Sequence, residues 1–103
     1  MEKVIRDGKV AVLVSPGFGA GWYTWNSHKE LLFHPKLVAL VEAGKQSEID
    51  QDWVKNELGI NNVYCGGASD LEIVWLPEGT AFEIDEYDGS ELLKTMEHLD
   101  LIA

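Results

Sequence analysis

The sequence predicts an α+β domain: an antiparallel sheet with a helical pair packed on one face. Three observations carry that reading. Segments of β-type alternation stand near both ends of the chain. Two stretches of helical apolar spacing lie between them. Tight-turn dipeptides, above all Asp7-Gly8, separate the strands. The 103 residues suffice for one domain, 1–103, with one core. Hydrophobic residues make up 46% of the chain, as in ordinary globular proteins.

Val4-Ile5-Arg6, Asp7-Gly8 and Lys9–Val14 read as a β-hairpin, because Asp-Gly tolerates the positive φ that both central turn positions need. A glycine loop follows. Ser27 is placed to cap a short helical piece carrying Leu31, Leu32 and Phe33. Pro35 suits the first turn of a helix, where its missing N–H is not needed. Leu37, Val38, Leu40 and Val41 continue at helical spacing, and Gly44 ends the run. Ser47 and Asp50 resemble a capping box for a second helix, with Ile49, Trp53, Val54 and Leu58 on one face and Gly59 as its stop.

Strand patterns then return. Val63-Tyr64-Cys65 is short and ends at Gly66-Gly67. Leu71–Leu76 has apolar residues on both sides, as in a strand covered on both faces. Pro77–Thr80 is a turn. Ala81–Tyr87 alternates, with Phe82 and Ile84 inward and Glu83 and Asp85 outward. The tail admits two readings. Asp88-Gly89 is a hairpin turn into another strand, or Asp88 and Glu91 cap a helix carrying Leu92, Leu93, Met96 and Leu99. The sheet face opposite the helices is expected to carry charge and some aromatics. No repeat, low-complexity segment or linker interrupts the chain.

The candidate binding site is the loop after the first long strand, Ser15-Pro16-Gly17-Phe18-Gly19-Ala20-Gly21-Trp22-Tyr23-Thr24-Trp25-Asn26. Glycines let the backbone approach another surface, and the aromatics offer stacking faces. Gly17, Phe18, Gly19, Gly21, Trp22, Tyr23, Trp25 and Asn26 are the expected ligand-binding residues. The loop fails the dinucleotide fingerprint, because Trp22 stands where the third glycine belongs. A looser role survives: backbone N–H groups of such a loop form an anion-binding concavity, and Trp22, Tyr23 or Trp25 stack on a base. The opposing reading buries Trp22 and Trp25 in the core. If a second flexible loop, Gly66–Asp70, lies near the first, residues Gly17–Trp25 and Tyr64–Asp70 form two walls of one pocket.

Other residues point less clearly to chemistry. Asp85, Glu86, Asp88 and Glu91 crowd one segment, but their spacing does not match a calcium loop. His28, His34 and His98 lack zinc-ligand spacing, and His34 before Pro35 suits a helix start. Cys65 has no neighbouring cation to lower its pKa, and Ser15 is in no nucleophile elbow. The sequence therefore nominates no catalytic residue, metal or cofactor; the leading expectation is a non-catalytic protein, and the alternative is an enzyme that uses Asp85, Asp88, Cys65 or the histidines. A single cysteine fits a reducing compartment. No apolar run approaches the roughly 20 residues of a membrane span, and Met1–Arg6 lacks a signal-peptide core, so the expected location is the cytoplasm.

Charge is unevenly placed. The net charge is -10, yet residues 1–46 sum to +2 (six Lys and Arg, four Asp and Glu). Residues 47–103 sum to -12, from Lys55 and Lys94 against fourteen carboxylates. Such a half repels nucleic acid and anionic membrane and attracts a basic partner.

The segments GKVAVLVSPGFGAGWYTWN, GGASDLEIVWLPEGT and FEIDEYDGSE, spread between Gly8 and Glu91, resemble a family of small, mostly uncharacterised proteins of phage and bacterial genomes, and the resemblance covers nearly the whole chain. The resemblance implies an accessory factor acting on host physiology or defence within the bacterial cytoplasm. It carries over no functional residue. Two expectations follow. The first is sequestration of a nucleotide-like small ligand at the glycine and tryptophan loop, with a homo-oligomer helping to form the pocket. The second is an acidic protein–protein inhibitor of a host defence protein.

Overall fold

Val10 to Val14 run through the centre of the molecule, and their alternation decides the layering. Val10 and Val12 point to one side, Ala11 and Leu13 to the other, and all four are fully buried. A computed structural model describes residues 1–95 and 101–103. The elements are β1 (Ile5–Arg6), β2 (Lys9–Val14), α1 (Tyr23–Asn26), α2 (Glu30–Phe33), α3 (Pro35–Glu42), α4 (Gln51–Leu58), β3 (Glu72–Pro77), β4 (Ala81–Tyr87), β5 (Ser90–Thr95) and β6 (Leu101–Ile102). Short 3-10 turns lie at Gln46–Glu48 and Ala68–Asp70.

The class is α+β, as the sequence predicts, but the strands form two antiparallel sheets and not one. One has the order β1-β2-β3, the other β5-β4-β6. On one side of β2, Ala11, Leu13, Ile73 and Trp75 meet the helical residues Leu37, Val38 and Val54. On the other, Val10, Val12 and Leu76 meet Phe82, Ile84 and Leu93 of the second sheet. The first sheet is thus covered on both faces, which explains the apolar residues on both sides of Leu71–Leu76. The charged open face expected opposite the helices is instead packed against this second sheet. Charge lies on that sheet's outer side.

Turn chemistry reads through to the structure. Asp7 and Gly8 have φ of 52° and 75°, and Asp88 and Gly89 of 51° and 85°. Both pairs make the two-residue turn whose twist matches the flanking strands. The second settles the tail over residues 90–95 as strand β5, with Tyr87 opposite Ser90. The helical alternative placed Met96 and Leu99 beyond this point; they and His98 lie outside the described residues.

Three local expectations are corrected. Ser27 does not cap α2; it ends α1 in the left-handed conformation, φ 62°. Ser47 does not start the second long helix. Asp50 caps it, accepting a hydrogen bond from Trp53 N–H at 2.7 Å, and Gly59 ends it as expected. Val63–Cys65 is not a strand, because the backbone of Tyr64 is paired by a side chain. Asn26 Oδ1 accepts from Tyr64 N–H at 2.8 Å, and Asn26 Nδ2 donates to Tyr64 O at 2.9 Å. His34 does support the start of α3, accepting from Lys36 N–H through Nδ1. Burial, then the Lys36 charge, holds its imidazole below the usual histidine pKa, which favours the neutral accepting ring. No helix among the described residues is long and apolar enough to cross a membrane.

Candidate functional site

The glycine loop leaves β2 at Ser15 and is fixed by two remote segments. The Gly66–Asp70 turn lies on one side, the β4–β5 hairpin tip on the other. Ser15 Oγ donates to Gly67 O at 2.7 Å, and Ser90 Oγ donates to Pro16 O at 2.7 Å. Gly19 N–H donates to Asp88 O at 2.8 Å, and Glu91 N–H to Ser15 O at 2.9 Å. The expected convergence of the two glycine-containing loops is therefore present.

Close approach explains why glycines stand on both sides. A Cβ on Gly67 would lie 2.6 Å from Gly21 O, and one on Gly89 would lie 2.3 Å from Ala20 N. Both obstacles are backbone and cannot swing aside. Gly89→Ala is thus expected to destabilise the fold more than Gly8→Ala. Both glycines have positive φ in equivalent turns, but a Cβ on Gly8 would meet nothing within 4 Å. The Gly8 change should cost about 1 kcal/mol for the backbone conformation alone, and the Gly89 change at least about 1–2 kcal/mol more. Equal losses in urea unfolding would show that the Ala20 contact does not matter.

The chemical centre of the loop is Glu91, 2% exposed. Its Oε1 accepts from Ser15 N–H at 3.0 Å. Its Oε2 accepts from Trp22 N–H at 2.9 Å, Thr24 N–H at 2.9 Å and Thr24 Oγ1 at 2.6 Å. The loop does form a concavity of backbone donors, and the protein's own carboxylate occupies it. Loss of one buried donor's partner costs about 1–3 kcal/mol, so this carboxylate is central to the loop's shape. The acidic 85–91 segment accordingly divides by role. Glu91 holds the loop, Glu86 Oε2 accepts from Gly89 N–H at 2.7 Å across the hairpin turn, and Asp85 pairs with Lys94. Among the described residues, no group of three His, Cys, Asp or Glu side chains is placed to hold a metal ion.

The candidate ligand-binding residues occupy several environments. Trp22 is fully buried, with its indole N–H donating to Leu31 O at 2.8 Å. The stacking role expected of Trp22 is therefore corrected to a core role: an apolar ring joins the helix-side core and its one polar atom is satisfied. Tyr23 is partly buried against both cores. Trp25 is exposed and stacks on Tyr64, ring centroids 5.5 Å apart. Asn26 bridges Trp22 O and the Tyr64 backbone, so it serves the fold. Gly17 and Gly21 sit under close neighbours, Asp70 for the first and Thr24 and Trp25 for the second, while Gly19 has φ 105°. Phe18 projects outward, 73% exposed.

Two residues that sequence reasoning did not single out stand beside Phe18. Tyr87 is 78% exposed and Leu92 61% exposed. With Asp85, Glu86 and Ser90 they line an open cleft of about 430 Å³. A second cleft of about 420 Å³ between Pro16, Gly17, Gln46 and Ser69–Glu72 marks where the two loops meet, and it is more polar. No family model, no curated protein and no solved structure matches the chain.

Cys65 is half-buried, and its thiol pKa is pushed up to about 11, by burial first and by the Asp50 charge second. This is the opposite of an activated nucleophile. At pH 8 the native thiol should hold about a hundredfold less thiolate than an ordinary cysteine. Iodoacetamide is expected to label the folded protein far more slowly than the urea-unfolded chain. Equal rates would remove the burial argument. The raised value also favours the fold below the ordinary thiol pKa, and that contribution is lost as pH rises from there towards 11.

Proposed function

We propose that the protein is a non-catalytic binding module that engages a basic protein surface through the cleft of Phe18, Tyr87 and Leu92. The observation that carries this reading is an exposed apolar cluster where Phe18 meets Tyr87 and Leu92 of the acidic half of the chain. The backbone that carries Phe18 is anchored on either side, by Ser90 to Pro16 O and by Gly19 N–H to Asp88 O. Aromatic anchors held in place contribute most in protein interfaces. A charge of -12 over residues 47–103 steers basic partners towards it. The resemblance to phage and bacterial accessory proteins suggests the setting: inhibition of a host protein, including one that carries a nucleic-acid site.

Immobilised wild type and the double variant Phe18→Ala with Tyr87→Ala, exposed to bacterial lysate, test this. A basic protein retained by wild type, released by salt and absent from the variant is the expected result. Retention that ignores both salt and the substitutions overturns it.

Sequestration of a nucleotide-like ligand is the second reading, and the exposed Trp25–Tyr64 pair favours it. It loses support where Glu91 fills the loop's donor concavity. A thermal-unfolding panel of linear and cyclic nucleotides separates the two. The protein-binding reading expects no shift. A rise of several degrees, lost in Trp25→Ala, establishes the ligand instead.

A further inference from the structure

We infer that the cleft beside Phe18 receives an arginine side chain of the partner. This rests on the protein-binding reading and specifies its central contact. The cleft combines two aromatic rings, Phe18 and Tyr87, with two carboxylates, Asp85 and Glu86. A guanidinium can lie flat on a ring while its edge donates to a carboxylate, and it sheds water more readily than an ammonium group. Glu86 uses Oε2 on Gly89 N–H. Among the described residues its other oxygen has no hydrogen bond. Asp85 is paired with the exposed Lys94, an exchangeable surface partner.

The molecule already holds one guanidinium in this way. Arg6 lies over the Trp75 ring, 5.4 Å from its centroid, and donates through both terminal nitrogens to Glu42. Arg6 is the chain's only arginine. A second copy would have to give up both Glu42 hydrogen bonds and the Trp75 contact to fill the cleft, so the proposed occupant is an arginine of another protein.

The test uses N-acetylarginine amide as the probe, with N-acetylcitrulline amide as its neutral counterpart, followed by amide chemical shifts. The expected result is a saturable shift at Phe18, Tyr87, Gly89 and Ser90 with the arginine compound and none with the citrulline. Phe18→Ala and Tyr87→Ala should each weaken the binding about two- to fivefold. Both side chains are exposed, so the variants should keep the wild-type spectrum elsewhere. Glu86→Gln should weaken it as well. Equal shifts with citrulline, or arginine shifts scattered over the acidic surface, overturn the assignment. Unmoved amides beside normal, substitution-sensitive capture from lysate overturn the arginine and leave the protein-binding reading standing. Failure of both experiments removes both.

Discussion

Glu91→Ala is expected to destabilise the protein by about 3–5 kcal/mol, a large share of the 5–15 kcal/mol that holds a typical domain together. The reason is local. The substitution leaves three buried or part-buried backbone N–H groups, those of Ser15, Trp22 and Thr24, without their acceptor. At roughly 4–8 °C per kcal/mol, the unfolding midpoint should fall by more than about 12 °C. A graded series checks the cause. Thr24→Val removes only the hydroxyl contact and should cost about 1 kcal/mol. Glu91→Gln puts an NH2 group where donors already point and should fall between the two. A Glu91→Ala protein within about 1 kcal/mol of wild type would mean that water replaces the carboxylate freely.

Trp22→Ala is expected to cost about 3–5 kcal/mol, as for other large-to-small changes in a packed core. Trp22 is fully buried, and its removal also leaves Leu31 O without its indole donor. Trp22→Phe keeps part of the volume and should be milder. Trp25→Ala, at a position 44% exposed, should change stability by less than about 1 kcal/mol. Calorimetry of the three variants decides this ordering. Comparable losses at positions 22 and 25 would contradict the burial difference. The practical consequence is that lost binding in Trp22→Ala reports unfolding. Contact at the surface is tested at Phe18, Trp25 and Tyr87.

Much of the fold was legible because it is written in local chemistry. The Asp7-Gly8 turn, Pro35 at a helix start, Gly59 at a helix end and the two-sided pattern of Leu71–Leu76 each depend on neighbours in sequence, whereas Asp88-Gly89 fits a hairpin turn and a helix start alike. Splitting of the strands into two sheets was not legible, since the Pro77–Thr80 turn carries the chain between sheets without a signal that distinguishes it from a hairpin. Val63–Cys65 misled because its pairing partner is the Asn26 side chain, 38 residues away from Tyr64.

At the candidate site, the loop itself stood out by its glycines and aromatics, but its inside and outside did not. Trp22 and Trp25 are alike in sequence; only the tertiary structure buries one of them. Glu91 carried a usable signal. Read as a strand, Ser90–Thr95 places Glu91 on the same inward side as Leu93, and a carboxylate at a core position needs donors. The helical alternative for the tail hid this, because there Glu91 served as an ordinary capping residue.

The Glu91 clamp also imposes an order of events on a chain made from its N-terminus. The carboxylate lies 67 to 76 residues beyond the amides it receives. The glycine loop is synthesised early yet has no acceptor for those amides until the β4–β5 hairpin has left the ribosome and docked. Contacts that span most of a domain form late and slowly. Phe18 and its neighbours therefore stay without this clamp until residue 91 has emerged and docked. Arrested nascent chains with residue 91 held inside the exit tunnel and with it fully emerged should differ sharply in protease cleavage between residues 15 and 25.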